Sequence, residues 1–146
     1  MNNDTIKILL VDDEPDILEI LSYNLIAEGY KVLTAANGLE AVKSAKKNQP
    51  HLIIMDVMMP EMDGIEACGQ IRAFPELKET IITFLTARGE DYSQLAGFEA
   101  GADDYITKPI KPKILVSKIK ALLRRLNEAI PMNDLELIKV GDLTID

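Results

Sequence analysis

Five polar residues that lie far apart in this sequence share one local setting. Asp12 and Asp13 follow the apolar run Ile6-Lys-Ile-Leu-Leu-Val11. Asp56 follows Leu52-Ile-Ile-Met55, Thr86 follows Thr80-Ile-Ile-Thr-Phe-Leu85, and Lys108 follows Asp104-Tyr-Ile-Thr107. Three carboxylates brought close together repel one another and call for a cation. Magnesium favours oxygen ligands, keeps several waters, and takes one or two carboxylates together with phosphate oxygens. A hydroxyl and an ammonium beside such a site suit phosphoryl oxygens. The carboxylate of Asp56 is a possible nucleophile, forming an acyl phosphate, with the metal and Lys108 neutralising charge on the transferring group.

These residues meet only if the elements that carry them run side by side. Leu52 to Met55 is continuously apolar and bounded by the turn residues Pro60, Asp63 and Gly64, which reads as a strand buried on both faces. Ile6–Val11, Tyr30–Ala35, Thr80–Leu85 and Asp104–Thr107 read as four further strands. Between them come helical patterns: Ile17, Leu18, Leu21, Leu25 and Ile26 up to a stop at Gly29; Leu39 to Lys47 after the turn signal Asn37-Gly38; Ile65 to Ala73, closed by Pro75; and Asp91 to Ala100, stopped by Gly101. Pro112 to Leu126 follows the fifth strand, with Leu115, Ile119, Leu122 and Leu126 on one stripe and Arg124 and Arg125 in the last turn, where cations suit the helix dipole. Strand then helix, five times, predicts an α/β fold: a doubly wound, five-stranded parallel sheet with right-handed crossovers and helices on both faces. All carboxyl ends of such a sheet lie on one edge, which is where open α/β sheets build their sites.

The 146 residues suffice for one ordinary domain with a little left over, and 47% apolar content supplies a core. A net charge of −8 argues against holding a polyanion by electrostatics alone. Cys68 is the only cysteine, so no intramolecular disulfide is possible, and its pattern places it in a buried helix position. The N-terminus carries no signal pattern and no run approaches the ~20 apolar residues of a membrane span, so the reading is a soluble, cytoplasmic protein without a membrane partner. His51 reads as a strand-edge residue without a role, and Met55, Met58, Met59 and Met62 as packing and loop residues. After Asn127 the pattern changes. Pro131, Asn133 and Asp134 suggest a linker, and Leu135 to Asp146 alternates around Gly141-Asp142 like a small hairpin, too short to bury a core of its own.

Leu10-Val-Asp-Asp-Glu14, Met55-Asp-Val-Met-Met-Pro-Glu-Met-Asp-Gly64, Leu85-Thr-Ala87 and Gly101-Ala-Asp-Asp-Tyr-Ile-Thr-Lys-Pro109 resemble the receiver domain of bacterial two-component response regulators, in register from Thr5 to Leu126. The resemblance implies a flavodoxin-like sheet of order 2-1-3-4-5 and a signalling domain with at most self-catalysed phosphotransfer and dephosphorylation. It makes Asp56 the phosphoacceptor for a sensor histidine kinase. Asp12 and Asp13 would hold magnesium beside Asp56, Asp13 directly and Asp12 partly through water, with the backbone carbonyl of Met58 as a further ligand. Lys108 would pair with the phosphoryl group, presented by a cis peptide to Pro109, while Thr86 turns its hydroxyl toward that group and Tyr105 swings inward behind it.

The tail resembles the first strands of a winged-helix (OmpR/PhoB-like) DNA-binding domain. The implied organisation is a receiver domain at 1–127, a linker at 128–134 and the start of a truncated winged-helix domain at 135–146. DNA would be reached only through the missing remainder, making the chain part of a transcriptional regulator. Such regulators dimerise on phosphorylation through the face made by the fourth helix, fifth strand and fifth helix. Gln94 and Ile114 stand where a basic and an acidic residue are usual, leaving Asp103, Asp104, Lys118 and Arg125 to supply pairs worth ~0–1 kcal/mol each. Rival readings are a stand-alone receiver acting by phosphorelay or protein contact, a haloacid-dehalogenase-type phosphatase, and a flavin module. The phosphatase needs an acid where Met58 stands, and the flavin module needs a hydroxyl- and glycine-rich loop after the first strand.

Overall fold

A computed structural model of the chain describes residues 5–86, 100–108 and 110–138, with side chains as far as Arg125. Strands β1 (Lys7–Val11), β2 (Lys31–Ala35), β3 (Leu52–Asp56), β4 (Ile81–Thr86) and β5 (Asp104–Thr107) form one parallel sheet of order β2-β1-β3-β4-β5. Helices α1 (Pro15–Ala27), α2 (Gly38–Asn48), α3 (Gly64–Arg72) and a C-terminal helix (Pro112–Ile138) accompany it. Fold class and strand order are those the sequence and the resemblance lead one to expect.

The alternation of side chains along each strand divides the core between the two faces of the sheet. Leu9, Val11, Ile53, Met55, Ile82 and Phe84 pack with Ala41, Ala45, Ala67, Cys68 and Ile71 of α2 and α3. Ile8, Leu10, Leu52, Ile54, Leu85 and Ile106 pack instead with Leu21 and Leu25 of α1 and with Leu115, Ile119, Leu122 and Leu123 of the C-terminal helix. Every residue of β3 is buried, as its unbroken apolar run requires. Cys68 is a free, buried helix residue, as expected.

Local capping fixes where each helix leaves the sheet. Pro15 occupies the first turn of α1 and Asp16 adds an acid there. Asn37 caps α2 by accepting from the Glu40 N–H at 2.9 Å, while Glu40 reaches back to the Ala36 N–H at 3.0 Å. The Asn37-Gly38 pair is therefore the helix start itself. Asp63 caps α3 in the same way, accepting from the Glu66 N–H at 2.8 Å.

The C-terminal end differs from expectation. The helix does not stop near Leu126; its backbone stays helical through Pro131 to Ile138, so residues 128–134 form no irregular linker and 135–138 no strand. A proline removes one helical hydrogen bond, but the leucine, glutamate, alanine and methionine around it are good helix formers, and no glycine interrupts residues 126–138. The expected hairpin turn at Gly141-Asp142 lies outside the described residues, as does the expected fourth helix apart from Ala100, which is helical. Among the described residues no helix is long and apolar enough to cross a membrane.

Candidate functional site

Strand register brings the acids together. Val11 lies beside Met55 in the β1–β3 ladder, so Asp12 emerges next to Asp56 at the carboxyl edge. Asp12 is fully buried and Asp56 nearly so, whereas Asp13 is exposed. One carboxylate oxygen from each of Asp12, Asp13 and Asp56 lies within 4.8 Å of the others. Asp12 is held by the Glu14 N–H, which donates to its Oδ1 at 2.9 Å. The Met58 N–H donates to Asp56 Oδ1 at 3.3 Å.

Lys108 arrives from the end of β5, where its N–H donates to the Thr86 carbonyl at 2.6 Å. Its Nζ stands 3.1 Å from Asp12 Oδ2 and 3.5 Å from Asp56 Oδ2. Thr86 ends β4 at the same edge, and its Oγ1 is buried without a hydrogen-bond partner among the described residues. Tyr105 is half-buried on β5, its ring edge-on to Phe84 with centroids 5.6 Å apart. Gly64 is required where α3 begins, since a Cβ there would collide with the Asp56 carbonyl oxygen.

Burial pushes the Asp56 carboxyl up to about 6, and the neighbouring Asp12 charge adds to the rise; Lys108 and the Met58 N–H oppose it. Burial works against the Lys108 charge, but Asp56 and Asp12 together hold its pKa above the ordinary lysine value. Three carboxylates against one ammonium leave a formal −2 (−3 + 1) in a partly buried site. That donor set, all oxygen and short of positive charge, fits a hard divalent cation, with Asp12, Asp13 and Asp56 as the groups to hold it. Saturation at tenfold above Kd is therefore expected to stabilise chelator-treated protein by about 1.4 kcal/mol, read as a rise in Tm on adding magnesium. An identical Tm in magnesium and in chelator would remove the cation site.

The remaining expected residues are scattered. Ile114, Lys118 and Arg125 are exposed on the C-terminal helix. Asp104 is half-buried, and its Oδ1 accepts from the Tyr105 N–H at 2.8 Å. Asp103 is already engaged within the chain, pairing with Arg72 at 2.8 Å and accepting from the Ile82 N–H at 2.9 Å. Pro109 and Gln94 lie outside the described residues. Sequence reasoning passed over Arg72, whose guanidinium donates to the carbonyls of Gly101, Leu77, Lys78 and Thr80. It also understated His51, whose Nδ1 accepts from the Lys7 N–H at 3.0 Å while its main chain bonds to Lys7 and Ile81.

With the fold and this edge in view, comparison with known proteins is decisive. Residues 8–120 match the response regulator receiver domain family. The chain belongs to that family. The alkaline phosphatase synthesis transcriptional regulatory protein PhoP of Bacillus subtilis is 44% identical over 149 residues, a match covering 95% of this chain and 60% of PhoP. The transcriptional regulatory protein ResD of the same organism is 48% identical over 122 residues, covering 84% of this chain and 50% of ResD. The chain thus aligns with 60% of the length of PhoP and 50% of that of ResD. The crystal structure of a putative response regulator from Chloroflexus aurantiacus superposes with a TM-score of 0.76 at 41% identity, covering 82% of this chain and 98% of that one.

Proposed function

We propose that this receiver domain takes a phosphoryl group onto Asp56 from a sensor histidine kinase and thereby controls a DNA-binding output. The observation that carries the reading is the convergence of the Asp12, Asp13 and Asp56 carboxylates with the Lys108 ammonium on one sheet edge. In the transfer, a carboxylate oxygen of Asp56 forms a bond to phosphorus as the phosphorus–nitrogen bond of a phosphohistidine breaks, and the imidazole, protonated on its other ring nitrogen, leaves as the neutral base. Asp12, Asp13 and Asp56 would hold a magnesium ion, which would supply charge neutralisation for the phosphoryl oxygens. Lys108 exchanges part of its carboxylate pairing for those same oxygens. The cis peptide to Pro109 and the Met58 carbonyl ligand belong to this reading as its finer parts.

Phosphorylation adds charge and strong acceptors. The Thr86 hydroxyl, buried and unpartnered among the described residues, gains an acceptor by turning toward them. Tyr105 follows inward, and the surface of β5 and the C-terminal helix moves to a second packing, a population shift between two states. We place dimerisation on that surface, with Asp104, Lys118 and Arg125 available for pairing. Sedimentation should show a doubled mass on phosphorylation, and an unchanged mass would count against the dimer.

The output is assigned from PhoP and ResD, whose names describe transcriptional regulators and whose lengths exceed the aligned portion. On this reading a winged-helix DNA-binding domain follows the C-terminal helix, whose backbone runs to Ile138. A free thiol at Cys68 suits the cytoplasm, where such a regulator would work.

The test is mass spectrometry of the chain after treatment with acetyl phosphate and magnesium. One acid-labile phosphoryl group should map to Asp56; a label elsewhere, or none, rejects the assignment. Lys108→Ala should slow uptake on the order of a hundredfold, the usual cost of losing one donor to a developing charge. An uptake rate near that of the parent would deny Lys108 its role.

A further inference from the structure

We propose that Met58 is a peroxide-reactive methionine whose conversion to the sulfoxide shortens the life of the phosphoryl group on Asp56. The inference rests on Asp56 being the phosphoacceptor. Four methionines lie between positions 55 and 62. Met55 and Met59 are buried in the core and Met62 packs against it, but Met58 is 56% exposed. An exposed thioether is ordinary in itself. What distinguishes Met58 is its place two residues after Asp56, with its own N–H donating to Asp56 Oδ1 at 3.3 Å. The loop that follows is tightly folded: Glu61 has φ 70, and the Met62 N–H donates to the Pro60 carbonyl at 2.8 Å, the contact of a three-residue turn.

The cysteine sulfur is poorly reactive. Cys68 is fully buried and its Sγ donates to the Ala100 carbonyl at 3.6 Å. Burial also pushes its thiol up to about 11, so little thiolate exists at neutral pH.

With a hydroperoxide as oxidant, a sulfur lone pair of Met58 attacks the terminal peroxide oxygen. The sulfur–oxygen bond forms, the oxygen–oxygen bond breaks, and the second oxygen leaves as water or alcohol after taking up a proton. The sulfur loses two electrons and the peroxide gains them. A flexible apolar side chain becomes a polar one carrying a strong acceptor oxygen. A thioether holds water weakly, whereas the sulfoxide oxygen accepts a hydrogen bond from a water next to the acyl phosphate. That water adds to phosphorus as the bond from phosphorus to the Asp56 oxygen breaks, returning carboxylate and inorganic phosphate.

The experiment treats the chain with limiting hydrogen peroxide, quenches it, and maps oxidation by peptide mass. Treated and untreated chains are then phosphorylated with acetyl phosphate and magnesium, desalted, and followed for loss of label. Met58 sulfoxide should form before Met55 or Met59 sulfoxide. Label should be lost at least about threefold faster from the oxidised chain, a small share of what a tuned general base provides. Methionine sulfoxide reductases should restore the slower rate, and Met58→Leu should show the same lifetime with and without peroxide. Oxidation of Met58 no faster than of Met55 and Met59, an unchanged lifetime after oxidation, or equal acceleration in Met58→Leu would each overturn the proposal. Labelling of Asp56 in the untreated chain tests the underlying assignment separately.

Discussion

Asp56→Asn is expected to take up no phosphoryl group from acetyl phosphate and yet to be more stable than the parent at pH 7 without metal. The first effect follows because an amide cannot serve as the nucleophile. The second follows from burial. The Asp56 carboxyl is raised from 3.8 to about 6 even with Lys108 at 3.5 Å, so the fold prefers its neutral form. A shift of roughly two units corresponds to about 2–3 kcal/mol. A group whose folded-state value lies above its unfolded value stabilises fully below the unfolded value. That contribution is lost as pH rises through the folded one. For Asp56 it is complete below pH 3.8 and gone above about 6. Asparagine resembles the neutral carboxyl at every pH, so the variant should gain about 2 kcal/mol at pH 7. The gain should vanish toward pH 3.5 and narrow when magnesium is added. Urea denaturation across this range reads the difference directly, and a variant less stable than the parent at pH 7 would contradict the electrostatic picture.

The second large effect lies at the opposite edge of the sheet. Arg72→Ala should destabilise the chain by about 3 kcal/mol, the upper end of what losing hydrogen bonds to a charged group costs. The Arg72 side chain is 19% exposed and links the end of α3 to the turn before β4 and to the entry of β5. Its removal leaves the carbonyls of Leu77, Thr80 and Gly101 without their charged donor, and charge-assisted bonds are the costly ones to lose. Arg72→Lys should recover little, because one ammonium cannot reproduce a planar fork that serves several acceptors. Asp103→Asn should cost less than Arg72→Ala, since Asp103 is partly exposed and its main acceptor role toward the Ile82 N–H can pass to the amide oxygen. Equilibrium unfolding would decide, and a loss below about 1 kcal/mol for Arg72→Ala would reduce the network to an ordinary surface pair.

The convergence of the acids and Lys108 on one edge was legible because its signal is local and repeated. An apolar run that stops at Asp12, Asp56 or Thr86 marks a strand end without knowledge of the neighbours, and Lys108 closes the shorter, half-polar β5. Parallel connection then puts all those ends on one edge. Arg72 was illegible for the opposite reason. Its acceptors are mostly main-chain carbonyls, which every residue possesses, so no side-chain pattern announces them. The fate of Asp103 depended on that unseen partner. Pro131 misled because proline marks helix ends only on average, and here it lies between helix formers. Asn37-Gly38 looked like a turn because asparagine caps helices and initiates turns with the same side-chain acceptor, and only the Glu40 contact distinguishes them.

The ammonium of Lys108 already rests on both Asp12 and Asp56, which makes the lysine a built-in counter-ion. Sodium or potassium offers the acids no more charge than this tethered group does, and must also give up its own hydration. Ordinary monovalent salt should therefore compete poorly for the pocket, leaving divalent ions as effective rivals for the carboxylates.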